Sequence, residues 1–108
     1  MTENNDTKQN EKIIVRVDPD IEDLIPGFLE NRRKDIKAIE ETLASNDYKT
    51  IQRLGHSMRG AGGGYGFDKI TDIGLHIENA AKEKNTDEIR RRTNELLNYL
   101  ENIEVVYE

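Results

Sequence analysis

The chain has 108 residues, 22 acidic and 16 basic side chains for a formal net charge of −6, and no cysteine or tryptophan. That length is one domain's worth and allows one core, while the missing cysteines exclude disulfides, thiolate nucleophiles and cysteine-based metal sites. The acidic balance argues against nucleic acid as the main partner, and no run reaches membrane-spanning length or forms a secretory signal, so a cytoplasmic protein with no membrane partner is expected.

Residues 1–12 are polar after Met1 and are expected to form a disordered tail, with one domain over 13–108. Ile13-Ile14-Val15-Arg16-Val17 is β-branched and short, which reads as a strand. Ile103-Glu104-Val105-Val106-Tyr107 at the far end is its candidate mate. The two either pair as a small ribbon across the end of a helical body or lie separately in grooves between helices; pairing is the favoured reading. Asp18-Pro19-Asp20 marks a helix start, with Asp18 or Asp20 as cap. Ile21, Leu24, Ile25, Phe28 and Leu29 follow at helical spacing, but Pro26 interrupts. A short first helix should therefore break near Ile25, and a longer one should run from about Pro26 to Ser45. Its apolar stripe continues through Ile36, Ile39 and Leu43, and the charged run from Asn31 to Lys37 is expected to be solvated.

Ser45-Asn46-Asp47 is a loop and cap signal. The next helix should run from about Tyr48 to Gly62 or Gly64. At 100° per residue, Tyr48, Ile51, Leu54, Gly55, Met58, Gly62 and Tyr65 fall on one small-or-apolar stripe. Lys49, Gln52, Arg53, His56, Arg59, Gly60 and Gly63 fall opposite. Each glycine of Gly62-Gly63-Gly64 would cost about 1 kcal/mol in a helix relative to Ala. They either end the helix or let another backbone approach closely.

Phe67, Ile70, Ile73, Gly74, Ile77 and Ala81 mark another helix, ending near Glu83 to Asn85. Thr86-Asp87 opens the last, with Ile89, Thr93, Leu96, Leu97, Leu100 and Ile103 on one face. The expected class is all-α: an antiparallel four-helix bundle with a short N-terminal helix and a small terminal β-ribbon as its one β element.

The chemistry centres on His56. It points away from the core stripe, with Arg59 one turn on and side-chain-free positions at Gly60 and Gly63. A neutral imidazole is a competent nucleophile near neutral pH. Phosphoryl transfer needs an in-line approach and little covalent help from the protein. The bland alternative is a surface histidine in a solvated helix face. His56-Ser57-Met58-Arg59-Gly60, with Gly63, Gly66 and Phe67 following, is similar to the motif of histidine-containing phosphotransfer (HPt) domains, and helical patterns extend the resemblance over roughly residues 20 to 102. Gly55 stands where that family commonly has Ala, and Arg59 where it usually has Lys.

The resemblance implies that His56 accepts a phosphoryl group from a receiver-domain aspartate and hands it to another. Receiver domains of hybrid sensor kinases or response regulators would be the partners. No cofactor is implied for this chain; the Mg²⁺ would sit on the receiver. Arg59 would screen the transferring charge, and Gln52, one turn earlier, would bond the imidazole or a phosphoryl oxygen. Gly60 and Gly63 would clear the docking surface, flanked by a basic patch at Lys49 and Arg53. Gly66 reads as a structural turn. His76 reads as a helix-flank residue, and a metal site with His56 is not expected. ATP-dependent kinase activity is not expected either, since no Walker-type or dinucleotide-binding glycine motif occurs. A monomeric phosphocarrier is thus the leading expectation. A non-phosphorylated adaptor using the same helix face is the alternative.

Overall fold

The computed structural model describes residues 12–108. The expected tail lies outside them, apart from Lys12. Strand β1 (Ile13–Val17) leads into a 3-10 turn over Pro19–Leu24. Helix α1 (Ile25–Ala44) and helix α2 (Tyr48–Gly62) follow, then a second 3-10 turn over Gly63–Tyr65. Helix α3 (Asp68–Lys82), helix α4 (Thr86–Asn102) and strand β2 (Ile103–Tyr107) complete the order. The four helices pack as a bundle with a two-stranded sheet at the ends of the chain.

Short polar side chains set the helix starts. The Asp18 carboxylate accepts from the Asp20 amide at 2.9 Å, Asp47 accepts from the Thr50 amide at 3.2 Å, and Asn85 accepts from the Glu88 amide at 3.2 Å. The Thr50 hydroxyl also donates to Asp47 at 2.6 Å, and these two bonds hold the Asp47 carboxyl below its usual range. Pro26 sits in the first turn of α1, where its missing N–H costs nothing.

β1 and β2 do pair, and they run parallel, with Ile13 opposite Ile103 and Val17 opposite Tyr107. Parallel strands need a long crossover, and here the whole helical body is that crossover. Ile103 accordingly belongs to β2 rather than to the last helix. Val15 and Val17 turn inward onto the core.

Ile51, Met58, Phe67, Ile70, Ile73, Ile77, Ile89 and Leu96 form the fully buried centre. Three residues depart from the sequence reading, and one of them, Leu97, is 38% exposed although its spacing put it on the apolar face of the last helix. Arg32 is buried, although it lies in the run expected to be solvated. It sits one turn from both Phe28 and Ile36, so it occupies the core stripe of α1. Its guanidinium lies 4.8 Å from the Phe28 ring centroid and donates to Asp35 at 2.8 Å, which lets the stem bury while the charge stays paired. Leu24, by contrast, is 54% exposed despite its helical spacing, because the segment before Ile25 is a 3-10 turn and not α-helix.

The closest packing joins α2 to α3. A methyl at Gly55 would stand 2.6 Å from the Glu78 backbone N, and one at Gly74 would stand 2.6 Å from the Arg59 backbone N. One at Gly62 would meet the Thr71 backbone N at 2.7 Å. The glycine cluster therefore serves both purposes anticipated for it. Gly62 admits the neighbouring backbone, and the chain then tightens over Gly63–Tyr65 and turns at Gly66, whose φ of 91° favours glycine.

Gly55→Ala and Gly74→Ala should each destabilise the fold by about 1–3 kcal/mol through overpacking, even though Ala is the better helix former. Urea unfolding checks this; unchanged or raised stability would mean that the helices do not touch there. Burial, aided by Asp68, pushes the Tyr99 phenol up to about 12. Its folded value thus exceeds the unfolded one near 10, so the stability is present below about pH 10 and is lost as pH rises toward 12. Tyr99→Phe should flatten that alkaline decline in a pH series of denaturation midpoints.

Candidate functional site

The helix that buries Ile51, Gly55, Met58 and Gly62 must turn the intervening residues outward. His56 is one of them, with its side chain 63% exposed. Beneath it lies Glu78 of α3, with a side chain only 8% exposed. The two meet because the glycine contact brings the backbones of α2 and α3 together just there: the position nearest a Gly55 methyl is the Glu78 amide.

His56 Nδ1 is 3.1 Å from Glu78 Oε2. An ionised carboxylate only accepts hydrogen bonds. The contact therefore selects the tautomer with the proton on Nδ1, which leaves the lone pair on Nε2. Nε2 has no hydrogen-bond partner among the described residues. Arg59 closes the group, with Nη1 3.4 Å from Glu78 Oε1 and Nη2 3.4 Å from His56 Nδ1. Nδ1 cannot donate to Glu78 and accept from Arg59 at once. The shorter contact, to the buried anion, decides the matter. Glu78 Oε1 has no aligned hydrogen bond and faces Arg59 at ion-pair distance only. Arg59 itself is 41% exposed, so its guanidinium also meets solvent above the site.

The remaining sequence candidates divide. Gly60 is exposed, with nothing within 4 Å of where a methyl would stand, so the surface one turn past His56 is open. Gly63 is exposed but less open, with the Thr71 hydroxyl at 3.6 Å and an Asp68 carboxylate oxygen at 3.8 Å from the same point. Gln52 is half-buried and makes no hydrogen bond to the imidazole. Lys49 and Arg53 are exposed, two turns and one turn before His56 respectively. Arg53 leans back on the Thr50 hydroxyl at 3.4 Å. His76 stands apart, with Nδ1 donating to the Asp72 carbonyl at 2.8 Å.

Glu78 was not legible as a site residue from the motif around His56, which lies 22 residues earlier. A signal did exist. Glu78 falls on the α3 stripe with Gly74, Ile77 and Ala81, and all four are buried. A lone carboxylate on a core-facing stripe is out of pattern and asks for a partner.

An exposed imidazole, oriented by a buried carboxylate and flanked by a cation over a cleared surface, is equipped to receive a small anionic group. The sequence profile of the Hpt domain family matches residues 23–105. The chain belongs to the Hpt domain family. Hpt domains carry histidine phosphotransfer in phosphorelays as intermediates, not kinases, and generally interact with receiver domains. Neither comparison with curated proteins nor comparison with solved structures gives a significant match. In this Hpt domain, no helix among the described residues is long and apolar enough to cross a membrane. Nor do any three His, Asp or Glu side chains among those residues converge on a metal position.

The tautomer assignment can be read directly. In ¹⁵N NMR at a pH where the ring is neutral, His56 of the wild type should show a protonated Nδ1. Glu78→Ala should shift the ring toward the Nε2-protonated form. An Nε2-protonated ring in the wild type would rule out the contact with Glu78.

Proposed function

We propose that this Hpt domain is a phosphocarrier whose acceptor is His56 Nε2. The observation that carries the reading is the 3.1 Å contact between the exposed imidazole and the buried Glu78 carboxylate. The lone pair of Nε2 attacks the phosphorus of a receiver's aspartyl phosphate. The N–P bond forms as the acyl P–O bond breaks, and the aspartate carboxylate leaves with that electron pair. Nδ1 keeps its proton throughout, so the ring becomes cationic as the bond forms. Glu78 stands ready as the counter-ion. A fixed anion beside a developing cation stabilises the transition state more than the ground state, which is the condition for acceleration. The reverse sequence passes the group to a second receiver aspartate.

Arg59 complements the other partner. Its guanidinium spans Glu78 and the imidazole in the resting state, and its exposure lets it meet phosphoryl oxygens as they arrive. Gly60 leaves the approach above the ring open. Lys49 and Arg53 place positive charge beside the acceptor on an acidic protein, which favours encounter with the acidic site of a receiver. The divalent cation of the reaction belongs to the receiver.

Incubation with a phosphorylated receiver domain tests this reading. Wild type should acquire an acid-labile, base-stable phosphoryl group, and His56→Gln should fold normally and acquire none. Arg59→Ala should slow transfer about ten- to a hundredfold, the range for a lost charge-assisted hydrogen bond. Retained labelling of His56→Gln would move the acceptor elsewhere. Binding of a receiver without labelling would point to an adaptor.

A further inference from the structure

The ribbon of β1 and β2 lies largely beyond the part of the chain shared with the family. β1 precedes residues 23–105, which the Hpt profile matches, and Val106 and Tyr107 follow them. The inner face of the ribbon is covered. Val15 and Val17 are buried in the core, and Ile103, Val105 and Tyr107 pack against it. Side chains alternate along a strand, so Ile14 and Arg16 of β1 point outward with their partners Glu104 and Val106. This outer face is not the polar one expected of a solvated ribbon. Ile14 is 49% exposed and Val106 is half-buried.

The register arranges the four side chains as a checkerboard. Ile14 stands beside Glu104, and Arg16 beside Val106. The two apolar residues therefore occupy one diagonal, and the two opposite charges occupy the other. Consider a second copy laid face to face, related by a two-fold axis in the plane of the ribbon. With the axis about 45° from the strands, toward the Ile14–Val106 diagonal, the strands of the two copies cross at right angles, one of the two ways in which sheets pack. Ile14 then meets Ile14 of the copy, Val106 meets Val106, and Arg16 meets Glu104 twice. With strands about 4.8 Å apart and alternate residues about 6.6 Å apart, each pair falls within about 1.3 Å of superposition in projection. Other in-plane axes do worse. One along or across the strands sets Ile14 against a charge, and one toward the other diagonal sets Arg16 against Arg16.

The charges are available for such a contact. Glu104 has no ion-pair partner among the described residues. Arg16 reaches only Glu108, at 3.2 Å and with both side chains exposed, and such a pair contributes little in solvent. A wholly apolar partner would leave both ions desolvated and unpaired. A partner of one charge sign would meet repulsion at one corner. A second copy satisfies all four positions.

We propose that the outer face of the terminal ribbon joins two copies of this chain in a two-fold dimer. Four side chains from each copy make a patch well below the roughly 800 Å² a side of a standard interface, so the dimer is weak and reversible. It replaces the monomer expected from the sequence. None of the four residues lies on α2, so the contact uses no part of the His56 helix and does not depend on the phosphocarrier reading.

Sedimentation equilibrium from about 10 µM to about 1 mM, a range that spans weak dimers, tests the proposal. The wild-type average mass should rise toward twice that of the monomer, and less so at high salt. Ile14→Lys sets like charges face to face and should lower the association constant about tenfold or more. Arg16→Glu and Glu104→Arg should each do the same alone. All three change exposed side chains, so helical signal and unfolding midpoint should stay. Mixed one to one, the two charge variants should associate with each other, because each then faces the opposite sign at both corners. A wild type that stays monomeric to about 1 mM would overturn the proposal and leave the face to another kind of partner. Association unchanged by the single substitutions would place the contact elsewhere and overturn it too. Charge variants that stay apart when mixed would overturn the two-fold pairing of Arg16 with Glu104.

Discussion

The contact between α2 and α3 at Gly55 and Gly74 is the constraint on which the site depends. Both residues lack a side chain where the two backbones come within van der Waals reach. That approach sets how far Glu78 lies beneath the outer surface of α2. With the helices farther apart, a carboxylate on α3 would not reach an imidazole that leans outward from α2. The interior is close-packed and does not deform gradually, so the depth of Glu78 is fixed by packing that extends well beyond the site. Ile51 and Met58, which flank Gly55 on the same stripe, are completely buried and anchor it.

A carboxylate at that depth opposes stability. Removing an ion from water costs several kcal/mol even after relaxation, and a single good partner rarely offsets it. Glu78 has one aligned contact, to the imidazole of His56, and one oxygen that meets Arg59 only loosely. Its pairing is thus incomplete. The ion pairs of α4 make the contrast. Glu88, half-buried and bonded by both Arg91 and Arg92, is held down at about 2. Glu88 thus has two aligned guanidinium partners, while Glu78, the more deeply buried of the two, keeps one oxygen without a hydrogen bond against the exposed histidine.

How much of this could be read from the sequence differs from residue to residue. The helices could be, because apolar residues recur at helical spacing and Asp18, Asp47 and Asn85 cap in sequence-local fashion. The outward direction of His56 followed from the same spacing. Glu78 could not be placed against His56, because the pairing depends on which helix crosses α2 and at what depth. Both are tertiary facts, carried by glycines whose role is not visible until two backbones are brought together. Arg32 was misread for a related reason: a long amphipathic side chain at a stripe position buries its stem, and charge alone does not reveal that. The terminal strands were recognisable from their β-branched runs, but neither run encodes whether its mate lies parallel or antiparallel.

The parallel ribbon has a bearing on how the chain comes together. Ile13 and Ile103, its first pair, are separated by 90 positions. Closing so long a loop in an unfolded chain is entropically unfavourable, and few contacts form at the moment of closure. The caps and the three- to five-residue connections between successive helices are local and carry no such penalty. Contacts of low sequence separation form early and distant ones late, so the order of assembly follows: helices first, then the α2–α3 contact, and the ribbon as the closing step. Val17 packs beside Gly66, in the turn that follows the helix bearing His56. The last element to settle therefore rests on the end of the helix that presents His56.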